Sequence, residues 1–179
     1  MQSPGIEIER KFRLRAAPPD AALAEREMDV WRVEQVYLRP TGDGFHRRIR
    51  RIGHSDGRIE FVMTRKAAIG DGTIARTELE HPLAEAEYDA YLEEADPSRR
   101  PIRKIRHVVP HGSQTLEIDV FEVPANLVVV EVELGDEAER VELPEWLGDA
   151  VDVTDDTRYF NAGLAAADAE VPPFPEPGP

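Results

Sequence analysis

Eight short stretches of this chain alternate in register, and in each the polar register carries ionised or strongly polar side chains. A strand sends successive side chains to opposite faces, so the pattern predicts a sheet with one apolar face and one charged face. In GIEIERKF, residues 5–12, Glu7, Glu9 and Lys11 stand against Ile6, Ile8 and Phe12. VEQVYLRP sets Gln35, Tyr37 and Arg39 against Val36 and Leu38, and FHRRIRRI puts His46, Arg48 and Arg50 on one face. EFVMTRK opposes Thr64 and Lys66 to Phe61 and Met63, and ARTELEH aligns Arg76, Glu78 and Glu80. PIRKIRHV aligns Lys104 and Arg106, TLEIDVFE aligns Glu117 and Asp119, and VVVEVEL aligns Glu131 and Glu133.

Turn signals divide these stretches. Asp43-Gly44, Asp56-Gly57, Gly70-Asp71-Gly72, His111-Gly112 and Pro124-Ala125-Asn126 predict antiparallel hairpins between strands near 5–14, 33–40, 45–53, 58–67, 73–81, 102–110, 114–123 and 127–135. Helical spacing of apolar residues predicts helices at 19–30 and 83–95, with a third over 157–167. The length of 179 residues suits one domain, read as residues 1–166, and the Pro-rich segment 167–179 is expected to be a mobile tail.

Charge limits the partners. With 36 Asp plus Glu against 22 Lys plus Arg, the net charge of -14 disfavours nucleic acid and anionic membranes, so a bound anion must meet a local basic cluster or a metal. The absence of cysteine removes disulfides and thiolate metal sites. MQSPG does not read as a signal peptide, and no apolar run approaches the ~18 residues of a membrane span, so a cytoplasmic protein is expected.

A charged sheet face has two readings. It can lie in water, the apolar face resting on helices. Alternatively, about eight strands can curl and close, which removes the exposed edges and puts the charges inside. Charges crowded in a lumen are costly unless paired or bound to ions, so a closed sheet calls for metal ions and a polyanion. Only Lys11, Lys66 and Lys104 are lysines, and all three fall on the charged register. Lysine is a compact phosphate ligand and arginine a planar fork, so a phosphate site can use both. The histidines at 46, 54, 81, 107 and 111 lack metal-ligand spacing, no P-loop or G-x-S-x-G motif occurs, and Trp31 and Trp146 read as packing residues.

The motifs taken in order resemble the CYTH superfamily, or triphosphate tunnel metalloenzymes. EIERK is similar to its E-x-E-x-K signature, followed by YL at Tyr37–Leu38, R-x-R at Arg48 and Arg50, TRK ending at Lys66, and R-x-E-x-E at Arg76, Glu78 and Glu80. K-x-R at Lys104 and Arg106, DVF at 119–121, E-x-E at Glu131 and Glu133, and the WLG, DVT and RYFN elements complete the resemblance over residues 5–165. The family's usual EVT is DVT here, with the shorter Asp152.

The resemblance implies an eight-stranded antiparallel β-barrel tunnel with a charged lumen, covered by a few amphipathic helices. It implies Glu7, Glu9, Glu131 and Glu133 as ligands for Mg2+ or Mn2+, whose hard-cation chemistry suits carboxylate oxygens. Lys11, Arg48, Arg50, Lys66, Arg76, Lys104 and Arg106 would hold phosphate, with Lys11 and Glu133 acting in catalysis. Glu78, Glu80, Glu117 and Asp119 would hold those cations in place or orient water. The expected activity is metal-dependent hydrolysis of the terminal phosphate of inorganic triphosphate. Adenylate cyclisation, hydrolysis of thiamine or nucleoside triphosphates, and polyphosphate binding without turnover are the alternatives.

Overall fold

The computed structural model describes residues 5–26, 28–68 and 75–175. In chain order the strands are β1 (Gly5–Leu14), β2 (Asp29–Tyr37), β3 (His46–His54), β4 (Ile59–Ala68), β5 (Ala75–Pro82), β6 (Ile102–His111), β7 (Gln114–Val123), β8 (Val128–Glu133) and β9 (Ala150–Asp152). The helices are α1 (Asp20–Ala24), α2 (Glu85–Leu92) and α3 (Asn161–Leu164). The fold is therefore mainly β, an antiparallel nine-stranded sheet in the order β5-β4-β3-β2-β6-β7-β8-β1-β9.

β1 is the hub. Its residues 5–8 pair with β5, its residues 9–13 pair with β8, and residues 12–14 also pair with β9. Because β5 pairs with both β1 and β4, the hydrogen-bonded neighbours of the first eight strands run in a ring back to β1. Gly5 stands opposite Glu78 and Glu7 opposite Arg76, while Glu9 stands opposite Glu133 and Lys11 opposite Glu131.

The outward apolar register is covered in pieces. Val128, Val130 and Val132 of β8, with Leu116 and Ile118 of β7, pack with Leu23 of α1 and Leu147. Ile49 of β3 and Met63 of β4 pack with Tyr88 of α2. A third cluster sits on the other register: Tyr37, Ile102, Phe121 and Val129 pack with Val153, Tyr159 and Leu164, so the C-terminal segment fills one end of the charged face. Gly163 allows this close approach, since a Cβ there would come within 2.6 Å of the Thr157 carbonyl oxygen.

Several boundaries differ from the sequence expectation. The helix expected at 19–30 stops at Ala24, and β2 begins at Asp29 instead of 33; Val30, Trp31 and Val33 favour a pleated strand over a helix. The span 157–167 holds only a 3-10 turn at Thr157–Tyr159 and the single turn of α3. A ninth strand, Ala150–Asp152, escaped notice because three residues carry too little alternation to read. Residues 73–74 of the expected fifth strand lie outside the described residues. Of the Pro-rich segment, Val171 packs on the third cluster, and the Pro173 carbonyl accepts a hydrogen bond from the Tyr159 hydroxyl at 2.8 Å. Among the described residues no helix is long and apolar enough to cross a membrane.

Candidate functional site

The charged register surrounds a cavity of about 810 Å³ whose lining includes Glu7, Glu9, Lys11, Arg48, Arg50 and Lys66. Glu78, Glu80, Lys104, Arg106, Glu117, Glu131 and Glu133 complete the charged lining. Thus the alternation that sets these residues on one face of seven separate strands also brings them into one space. Arg76 holds its place in β5, but its side chain lies outside the described residues.

On the wall formed by β6, β7, β8 and β1 the charges close on one another. Asp119, wholly buried, accepts from Arg106 through Nε and Nη2, both at 2.7 Å, and also from Lys104. Arg106 reaches Glu131 at 2.6 Å and pairs with Glu117, while Lys11 pairs with Glu131 and lies 3.6 Å from Glu9. Burial opposes the charge of Glu131, but Lys11, Lys104 and Arg106 outweigh it and hold the carboxyl well below its usual range. Lys11 is likewise pulled up, against burial, by Glu131 and Glu9. Arg106 takes Asp119 with two parallel bonds, the stronger geometry. Lys104 keeps less of that carboxylate, and burial together with the nearby Arg106 charge pushes it below the ordinary lysine value.

The wall formed by β2 to β5 is looser. Arg48 approaches Glu78 at 3.3 Å, Arg50 pairs with Glu80, and Lys66 pairs with Glu7 across the β1–β5 seam. Thr64, fully buried, donates to Glu80 at 2.7 Å. Nevertheless, among the described residues, the Nε donors of Arg48 and Arg50 and the Nε2 donor of Gln35 are buried without a hydrogen-bond partner. Burial and the charge of Arg48 lower Arg50. Burial and the adjacent Glu7 raise Glu78 to about 8, so positive and negative excesses sit side by side on this wall.

The hard oxygen donors suit a divalent cation between β1 and β8. Glu9 and Glu133 are direct cross-strand partners, and like charges so placed repel unless a cation lies between them. Among the described residues none forms an ion pair with Glu133. Glu7 and Glu131 are occupied by Lys66, Lys11 and Arg106. Accordingly, among the described residues no three acidic or histidine side chains already converge as a cation cage. Asp152 is not on the lining; it accepts from the Thr154 amide at 2.9 Å and hydroxyl at 2.5 Å, and Thr154 accepts from the Lys11 amide at 3.0 Å.

Some lining residues were missed. Trp31 was read as packing, yet it lines the cavity beside Val33 and Ile52. The signal was present: once β2 starts at Asp29, Trp31 and Val33 share the register of Gln35. Thr157, Phe160, Asn161 and Ala162 also line the cavity, with the Lys11 ammonium 5.8 Å from the Phe160 ring centre. No periodicity in the sequence announces that contribution, because it comes from a non-repeating segment folded over the sheet.

No known family model matches the sequence, and no curated protein matches it. Among solved structures, the inorganic triphosphatase NE1496 is similar over 92% of this chain and 95% of its own, at 28% identity and a TM-score of 0.57. A second structure of NE1496 gives 29% identity, the same TM-score, and coverage of 89% and 97%. The PH1012 protein from Pyrococcus horikoshii OT3 shares the fold at 16% identity and a TM-score of 0.54, covering 73% of this chain and 79% of its own. Motif order, the charged cavity and the whole-length likeness to NE1496 bear out the resemblance of this chain to the CYTH superfamily.

Proposed function

We propose that the first eight strands form a closed tunnel in which the chain hydrolyses the terminal phosphate of inorganic triphosphate with the help of Mg2+ or Mn2+. The observation that carries this reading is one cavity walled by lysines, arginines and carboxylates, in a chain similar over nearly its whole length to an inorganic triphosphatase. Arg48, Arg50, Lys66 and Lys104 bind the phosphate chain, and Arg76 joins them from β5. Arg106, already shared among three carboxylates, holds the anionic wall in place as well as adding positive potential. Glu7, Glu9, Glu131 and Glu133 would hold the cation, which supplies Lewis-acid neutralisation of phosphate charge. Lys11 offsets charge on the reacting phosphoryl group, and Glu133 orients the attacking water. Water oxygen bonds to the terminal phosphorus as its bridging P–O bond breaks, giving phosphate and pyrophosphate.

The apolar strip of Trp31, Val33 and Ile52 favours a second reading, a triphosphate ester whose organic group lies on that strip. One comparison separates the readings. Purified protein with Mg2+ or Mn2+ should release phosphate from inorganic triphosphate much faster than from ATP or thiamine triphosphate, and EDTA should abolish release. Faster turnover of an ester selects the second reading, and cyclic AMP from ATP selects a cyclase. Tight polyphosphate binding without release under either metal leaves only a binding module.

A further inference from the structure

We propose that Gln35 is a further substrate-binding residue, its side-chain amide donating a hydrogen bond to a non-bridging oxygen of the phosphate chain beside Arg50. The inference rests on the phosphate reading of the cavity and adds a neutral contact to its charged clamp.

Gln35 is 1% exposed and lines the cavity, yet its Nε2 donor has no hydrogen-bond partner among the described residues. A buried donor left unmade forfeits its hydration without compensation, so its retention calls for an acceptor. Its place in the sheet identifies that acceptor's chemistry. Gln35 is the direct cross-strand partner of Arg50 on β3, while the next residue of its register, Tyr37, faces Arg48. On its other side β6 sets Lys104 diagonally across, opposite Val33. Among the described residues, the Nε atoms of Arg48 and Arg50 are buried donors without partners as well. Three unmet donors on two adjacent strands therefore converge on one part of the wall, and a phosphate oxygen is an acceptor that can meet several donors at once.

Charge explains why the residue is an amide. Arg50 already feels Arg48 and Arg106, which together with burial lower its proton affinity. A further cation at position 35 would add to that repulsion, and a carboxylate would repel the anion. The amide contributes a donor with neither penalty, so it reads oxygen geometry where the charges supply attraction.

The test measures binding apart from turnover. Inorganic triphosphate is titrated calorimetrically into the full chain in EDTA, and melting temperature is recorded with and without it. Gln35→Met keeps side-chain length and removes the donor; it should weaken binding about tenfold. Its melting temperature without triphosphate should hold or rise, because a buried unmet donor is gone. Gln35→Glu, of the same length, should weaken binding by more than Gln35→Met does, and it carries the test if the methionine variant does not fold. Wild-type affinity in Gln35→Met, or a lower melting temperature with unchanged affinity, overturns the role of Gln35 and leaves the phosphate reading standing. Absence of triphosphate binding by the wild-type chain both in EDTA and with Mg2+ overturns both.

Discussion

The two walls of the cavity use the same residue types in opposite ways. On β6, β7, β8 and β1, Lys11, Lys104 and Arg106 are matched against Asp119, Glu117 and Glu131, and Asp119 at the centre has no exposure. On β2 to β5, the pairs are separate, Glu80 has a 41% exposed side chain, and among the described residues the buried donors of Gln35, Arg48 and Arg50 are unmet. A network whose charges pair closely with each other fixes geometry first. A wall with unmet donors gives up stability and gains a binding surface. Substitutions at Asp119 and Glu117, the carboxylates of the first wall that face only its own cations, should therefore act mainly on folding, and those on the second wall mainly on substrate.

The largest effect is expected at the centre of the closed wall. Asp119→Ala leaves Lys104 and Arg106 buried without their shared carboxylate, which should cost about 3–5 kcal/mol in urea unfolding. Glu80→Gln, at a partly exposed pair, should cost less than about 1 kcal/mol. Equal losses from the two changes would erase the distinction between the walls.

Next is Arg50→Ala, with an expected loss of about a hundredfold in kcat/KM for inorganic triphosphate and little loss of stability. Wild-type kinetics would take Arg50 out of the clamp. A large fall in melting temperature would show that the second wall, too, is structural.

The pH dependence of stability sharpens the comparison within the second wall. Glu78 is raised from 4.5 to about 8 in the folded chain, so the fold binds this proton more tightly than the unfolded chain does. Its contribution to stability is full below about pH 4.5 and is lost as pH rises through about 8. Glu78→Gln has no proton to lose, so in EDTA its melting temperature should gain on the wild type between about pH 5 and about pH 9. A constant difference across that range contradicts the crowding of Glu78 with Glu7.

The smallest effect is expected outside both walls. Asp152→Glu should leave triphosphate turnover unchanged and shift stability by no more than about 0.5 kcal/mol, since Asp152 anchors the Thr154 turn. A several-fold change in turnover would bring this residue into the site's chemistry.

The strands were legible because period-two alternation is a local property. GIEIERKF needs no distant residue to declare which side chains share a face, and the cavity lining recovers Glu7, Glu9 and Lys11 together. The place of Trp31 on the cavity is hidden for a local reason: a strand read as starting at 33 leaves its register out. The short α1 and α3 were overextended because helical spacing of alanines and leucines persists where the chain has already turned.

The sequence by itself determined which residues occupy the charged register and the turns between strands, since side-chain direction follows from backbone pleat alone. Only the tertiary structure decided that β1 pairs with both β5 and β8, because the choice of neighbour depends on contacts more than a hundred residues apart for β8. The same holds for the site. Charge type was written in the chain, but the commitment of Arg106 to three carboxylates and the unmet donors of Gln35 and Arg50 arise from distances and burial. Those are set when the strands come together and water is excluded between them, and no spacing along the chain encodes them.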